Sequence, residues 1–225
     1  MPLFLHFKYG SKIPYETDAE RIDLLSSVWL ILKINLLTNI KQRRVRLKVN
    51  MTRIPIRIIP DPVLRQTAQP VSAVDKKVAL FMDDMLESMY KGHGIGLAAN
   101  QVGALTRVIT VDVSEERNGT KALLMANPEI TWRDPEETFT YNEGCLSIPD
   151  QFADVTRPKR IRMHYIDQHG KKQELEAEDL LSQCIQHEID HLNGVLFIDH
   201  LSKLKRGMIE KKVEKAQRQR DEHLL

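Results

Sequence analysis

The segment His187-Glu188-Ile189-Asp190-His191 constrains this chain more than any other stretch. Two imidazoles four residues apart act together only on an α-helix, where positions i and i+4 stand one above the other on a single face. On such a face His187 and His191 can hold one metal ion, with Glu188 beside it as a proton shuttle. The rest of the chain must then supply a third ligand, a substrate cradle and a pocket.

A chain of 225 residues suffices for one well-filled domain plus appendages. Its formal charge of +2 is too small to imply a nucleic-acid or membrane partner, so neither DNA nor a membrane is expected. Two cysteines, Cys145 and Cys184, make no disulfide framework and suit a reducing interior, hence a cytoplasmic location. The most apolar run, Leu24 to Ile40, is broken by Ser26, Ser27, Lys33, Asn35, Thr38 and Asn39. It falls short of the roughly 18 uninterrupted apolar residues of a spanning helix.

Residues 1–50 have no clear pattern tied to later elements and end near the basic cluster Lys41 to Arg46. Glu16, Asp18, Glu20 and Asp23 precede the apolar run, which argues against a signal or transit peptide. This extension is expected to be disordered or the product of a misassigned start, with Met51 the working start and 51–225 the folded domain. From Val74, the residues Val78, Phe81, Met82, Met85 and Met89 recur at helical spacing until Gly92 and Gly94 stop them. The methionines read as core filler. Arg107–Val113, Ala122–Met125 and Thr138–Tyr141 read as strands. Ile161, Met163 and Tyr165 alternate with polar residues, and Asp167-Gln168-His169-Gly170 turns that strand into a partner ending near Ala177. The motif helix runs from Leu180 to Leu192, closed by Gly194. Leu201 to Arg220 reads as an amphipathic helix with Leu201, Leu204, Met208 and Val213 along one side.

Catalytic metal sites usually take three protein ligands and one water. Candidates for the third are Cys145, Cys184, His164, His169, His200 and several carboxylates. Cys145 stands out by its setting, Glu143-Gly144-Cys145-Leu146-Ser147, where it follows a strand beside a glycine that permits close approach. Cys184 precedes His187 by three residues and reads as a small buried hydrophobe lining a pocket. In Gly94-Ile95-Gly96-Leu97-Ala98-Ala99-Asn100-Gln101, small residues mark a place where the chain passes close to something. No Lys-Ser/Thr pair follows, which excludes a phosphate loop.

Together the three segments resemble the signature motifs of the peptide deformylases: Gly-φ-Gly-φ-Ala-Ala-x-Gln, Glu-Gly-Cys-φ-Ser and His-Glu-φ-Asp-His, with φ apolar. All three match without a departure and in order, and the resemblance covers about Ile54 to Arg220. It implies an α+β fold of antiparallel sheets packed around a central metal-binding helix, with a C-terminal amphipathic helix. Cys145, His187 and His191 are then expected to bind a divalent metal, usually Fe²⁺ in this family, with zinc, nickel or cobalt able to take its place. The implied reaction is hydrolysis of the N-formyl group from the formylmethionine of nascent proteins. The metal would activate water, Glu188 would act as general base and then acid, and the Gln101 amide with the Leu146 N–H would stabilise the oxyanion. Asp190 and Glu143 are read as groups orienting the ligands, with Arg157 neutralising one of them.

Ile95, Gly96, Tyr141, Gly144, Leu180 and Cys184, with His187, match family positions around the substrate. Gly96 would let the substrate backbone run alongside as an added strand. In the last helix Lys203, Lys205, Arg206, Lys211, Lys212, Lys215, Arg218 and Arg220 read on their own as a solvated face; the resemblance adds ribosome docking as the alternative, because some bacterial deformylases dock this helix and basic residues suit RNA phosphate. Two other readings compete. A zinc peptidase would use His200 or Glu210 as third ligand and leave the Cys145 segment without a task. A structural metal site in a binding protein would be closed by four protein ligands.

Overall fold

The computed structural model describes residues 54–222. The expectations for residues 1–50, and for Met51 as a start, lie outside the described residues.

Helix α1 (Lys76–Lys91) begins two residues later than its apolar period suggests, because Asp75 caps it by accepting from the Val78 N–H at 2.9 Å. Its Met82, Met85 and Met89 are fully buried, as core filler should be. Gly92 ends it, and the Gly94 N–H turns back to the Met89 carbonyl at 2.9 Å.

Five strands follow one another in space as β1 (Gly96–Ala98), β2 (Val108–Val111), β3 (Leu123–Arg133), β6 (Arg160–Asp167) and β7 (Lys172–Glu178). Every neighbouring pair is antiparallel. Strands β4 (Thr138–Cys145) and β5 (Ile148–Pro158) form a separate antiparallel hairpin joined at Leu146-Ser147. Helix α2 (Asp179–Leu192) carries the two histidines and packs against β1, β2, β6 and β7 on one side and the hairpin on the other. Helix α3 (Lys203–Glu222) closes the domain. The expected architecture, antiparallel sheets around a central helix, is the one observed.

Alternation in the sheet serves two cores. Ile109, Val111, Met125, Ile161, Met163 and Ala177 pack with Cys184, Ile185, Ile189 and Leu192 of α2. Leu97, Val108, Leu124 and Ala126 pack instead with the methionines of α1. A third cluster joins Ile148 and Val155 of β5 to Leu196, Phe197 and Ile198 and to α3.

Two sequence expectations need correction, and one strand must be added. Strand β3 continues well past Met125, but a register shift after Ala126 and a solvent-facing second half, Glu129 to Arg133, erase the apolar alternation. Strand β5 was not anticipated, because its inward positions include Arg157, which is 5% exposed. In α3 the core-facing pair is Ile209 and Val213, while Leu204 (75% exposed) and Met208 (52%) point outward. Each residue advances a helix by about 100°. The two i, i+4 pairs therefore define different faces, and only one meets the core.

Candidate metal centre

Helix α2 is buried continuously from Ser182 to Ile189, so its polar side chains need partners inside the protein. Gln186 Nε2 donates to the Pro158 carbonyl at 2.9 Å and Gln183 Nε2 to that of Val155 at 3.0 Å. His187 Nδ1 donates to Glu143 Oε2 at 2.8 Å. That bond orients the ring and leaves its Nε2 for a ligand contact.

Cys145 arrives from the end of β4. There the pairing steps from Gly144↔Phe152 to Cys145↔Ile148, a bulge that sets the thiol out of line with the rest of the strand. Its Sγ lies 3.2 Å from His191 Nε2, and the ligand atoms of Cys145, His187 and His191 all fall within 4.8 Å of one another. The two imidazole rings stand 4.9 Å apart at 68°. Burial, with His187 alongside, pushes His191 well below the ordinary histidine value, which favours the neutral, ligating form. A thiol and two imidazoles converging in a buried site are a donor set that fits a divalent metal.

The other candidate ligands are engaged elsewhere. His164 bonds Glu129 at 3.1 Å, His200 bonds Asp190 at 2.8 Å, and the Cys184 thiol faces the Ile95 carbonyl at 3.6 Å. His169 is exposed on the β6–β7 turn.

Behind the ligands, Arg157 joins both acids rather than one. Its Nε and Nη2 donate to Glu143 at 2.6 and 3.2 Å, and its Nη1 to Asp190 Oδ2 at 2.6 Å. Burial works against a charged Glu143, yet His187 and Arg157 hold its carboxyl down at about 2. Gln183 also donates to Glu143, a partner that sequence reasoning missed. The available signal was helical spacing, since Gln183 precedes His187 by four residues and so shares its face of α2.

Glu188 follows His187 on α2 and is 3% exposed. Burial pushes its carboxyl up to about 7, and its Oε2 has no partner among the described residues. Gly96 lies against it. A Cβ built there would collide with Glu188 Oε1 and come within 2.7 Å of Cys184 Sγ. Gln101 is oriented without ambiguity, since its Oε1 accepts from the Ala98 N–H at 2.7 Å. Its Nε2 therefore points at Cys145 Sγ (3.4 Å) and Ser147 Oγ (3.2 Å). Leu146 stands at the hairpin turn beside Cys145. Its side chain seats against Gly92 and Gly94, where built Cβ atoms would lie 3.0 and 2.8 Å from its Cδ1.

The structure thus gathers Cys145, His187, His191, Glu188, Gln101, Gly96 and Cys184. Ile95 is half-buried against the α2 core and its carbonyl also accepts from the Asp112 N–H at 2.8 Å. Gly144 pairs with Phe152, whose ring would lie 2.5 Å from a Cβ there. Leu180 is half-buried in the first turn of α2, one turn before Cys184. Tyr141 is 39% exposed on β4, its ring 6.2 Å from that of Phe139.

Residues 54–207 match the sequence family described as polypeptide deformylase. The peptide deformylase of Methylocella silvestris is 54% identical over 165 residues, covering 72% of this chain and 84% of that protein. That of Rhizobium meliloti is 51% identical over 170 residues, covering 76% and 97%. Among solved structures, the Ehrlichia chaffeensis peptide deformylase superposes with a TM-score of 0.70 at 37% identity, covering 75% of this chain and 98% of that one. The same enzyme in complex with actinonin gives 0.69 at 38% identity, covering 73% and 98%.

Proposed function

This chain belongs to the polypeptide deformylase family, and from that premise we propose how its residues remove the N-formyl group from the formylmethionine of a nascent protein, releasing formate. We assign this work to the domain of residues 51–225.

The observation that carries this reading is the convergence of Cys145, His187 and His191 beside a buried, unpartnered carboxylate. Cys145, His187 and His191 would hold a divalent ion, whose Lewis acidity would make water nucleophilic near neutral pH. Glu188 takes the proton from the attacking water and delivers it to the leaving amine as the C–N bond breaks. A carboxyl held at about 7 suits a group that must both accept and return a proton. Gln101 Nε2 and the Leu146 N–H donate to the formyl oxygen as it gains negative charge. Glu143, Arg157 and Asp190 hold the ligands in place. Gly96, on the sheet-edge strand β1, leaves room for the substrate backbone to pair there. Ile95, Tyr141, Leu180 and Cys184, with His187, line the methionine site, and Gly144 lies against the substrate.

We assign Fe²⁺ as the working ion, on the family resemblance; thiolate and imidazole also suit zinc, nickel or cobalt. The proposed location is the cytoplasm, where nascent formylated chains are made, and no described helix is long and apolar enough to cross a membrane. Docking on the ribosome through α3 is supported by its basic residues and by the exposed Leu204 and Met208 among them. Truncation after Lys203 should then abolish salt-sensitive co-sedimentation with ribosomes. Unchanged co-sedimentation would remove that part of the proposal.

The test of the activity is formate release from formyl-Met-Ala-Ser by anaerobically purified protein, with metal quantified in the same sample. Metal-dependent turnover is expected. Bound metal without turnover would make the site structural.

A further inference from the structure

The short 3-10 turn Phe197–His200 reaches the metal ligand His187 in two ways, directly through Phe197 and indirectly through His200. The Phe197 ring lies over His187, with centroids 6.2 Å apart and planes at 23°. At the other end of the turn, His200 Nε2 donates to Asp190 Oδ2 at 2.8 Å. That same oxygen accepts from Arg157 Nη1 at 2.6 Å. Arg157 in turn grips Glu143, and Glu143 holds Nδ1 of His187. An unbroken line of hydrogen bonds therefore runs from a side chain at the protein surface to a metal ligand.

We infer that His200 is a positioning residue for His187, acting through Asp190, Arg157 and Glu143. Asp190 is the outermost acid of the line, with 24% of its side chain open to solvent. A carboxylate so placed can rotate toward water unless a second donor fixes it, and His200 is that donor. If Asp190 turns away, Arg157 loses one of its two carboxylate partners and its hold on Glu143 loosens. His200 is 37% exposed, yet it sits on a clamped turn. Asp199 is ion-paired to Arg65 and to Arg206 of α3 (2.8 Å) and accepts from the Leu196 N–H at 2.8 Å. The turn thereby carries His200 at a fixed distance from Asp190.

This inference rests on the metal reading above, so the experiment must separate the two. The full-length chain is loaded with Co²⁺, whose thiolate absorption reports binding, and competed against a chelator. His200→Ala should weaken Co²⁺ affinity about tenfold, the lower end of the effect typical of groups that orient a ligand. His200→Gln keeps an N–H donor and should return affinity to within about twofold of the parent. In an Asp190→Asn background, removing His200 should cost nothing more, because both changes break one line. His200→Ala binding Co²⁺ like the parent would overturn the inference, as would equal losses in the Ala and Gln variants or a His200→Ala loss that adds in full to that of Asp190→Asn, either of which marks a purely structural role. A parent chain that bound no Co²⁺ would instead overturn the metal reading itself.

Discussion

Replacing Arg157 by Met would leave one buried and one partly buried acid without their shared cation. Arg157 and Glu143 have side chains only 5% and 4% exposed, and Asp190 24%. Breaking such a buried pair from one side costs roughly 3–5 kcal/mol, since the remaining charge stays buried and uncompensated. An independent route gives a similar figure. A carboxyl drawn from 4.5 to about 2 favours its ionised form by on the order of 3 kcal/mol, shared between His187 and Arg157. For a domain of this size each kcal/mol shifts Tm by about 2–4 °C, so a fall of roughly 6–20 °C is expected. The assay is urea and thermal unfolding of the metal-free protein, followed by circular dichroism near pH 7. Lys121→Met is the control, because its ion pair with Glu116 is exposed on both sides (65% and 53%) and should contribute at most about 1 kcal/mol. The pH dependence has a defined sign. A depressed carboxyl stabilises the fold above its unfolded value and ceases to do so as pH falls through its folded value. The gap between parent and Arg157→Met should therefore be full above pH 4.5 and narrow toward about pH 2. A loss no larger than the control's, or a gap that does not depend on acid, would refute the reasoning.

Glu188→Ala should keep its metal and lose at least about a hundredfold in turnover, which formate release and metal analysis of one sample would check. With the parent, kcat/KM should fall as pH drops through the Glu188 value of about 7, or somewhat below it if a bound cation draws that value down; a flat acid limb would contradict the base role. Gln101→Ala should cost about 10²–10³ in kcat, the loss typical of one oxyanion donor, and a change confined to KM would argue against it. Gly96→Ala forces Glu188 and Cys184 aside and should cost about 1–3 kcal/mol in stability together with most of the activity; a fully active, equally stable variant would show that the contact is not as close as 2.7 Å from Cys184 Sγ.

The metal ligands were legible because chemistry restricts the residue types and helical spacing restricts the geometry of His187 and His191. Cys145 was legible only in company, since a lone cysteine has no spacing to betray it. Its distance from His191 depends on the bulge between Gly144 and Cys145, a matter of strand pairing. Arg157 was read as neutralising one acid, whereas it binds two. A strand arginine can face inward or outward, and which it does depends on neighbours far away in sequence. The same limit hid β5, and it misassigned the inward face of α3, where Leu204 and Ile209 are equally apolar but only one has a core to meet.

The closeness of Gly96 to Glu188 limits how this position can change. Any side chain here would first meet the carboxylate on which turnover is proposed to depend. Position 96 is therefore confined to glycine by the side chains behind it, whereas the exposed Tyr141 is free of that constraint.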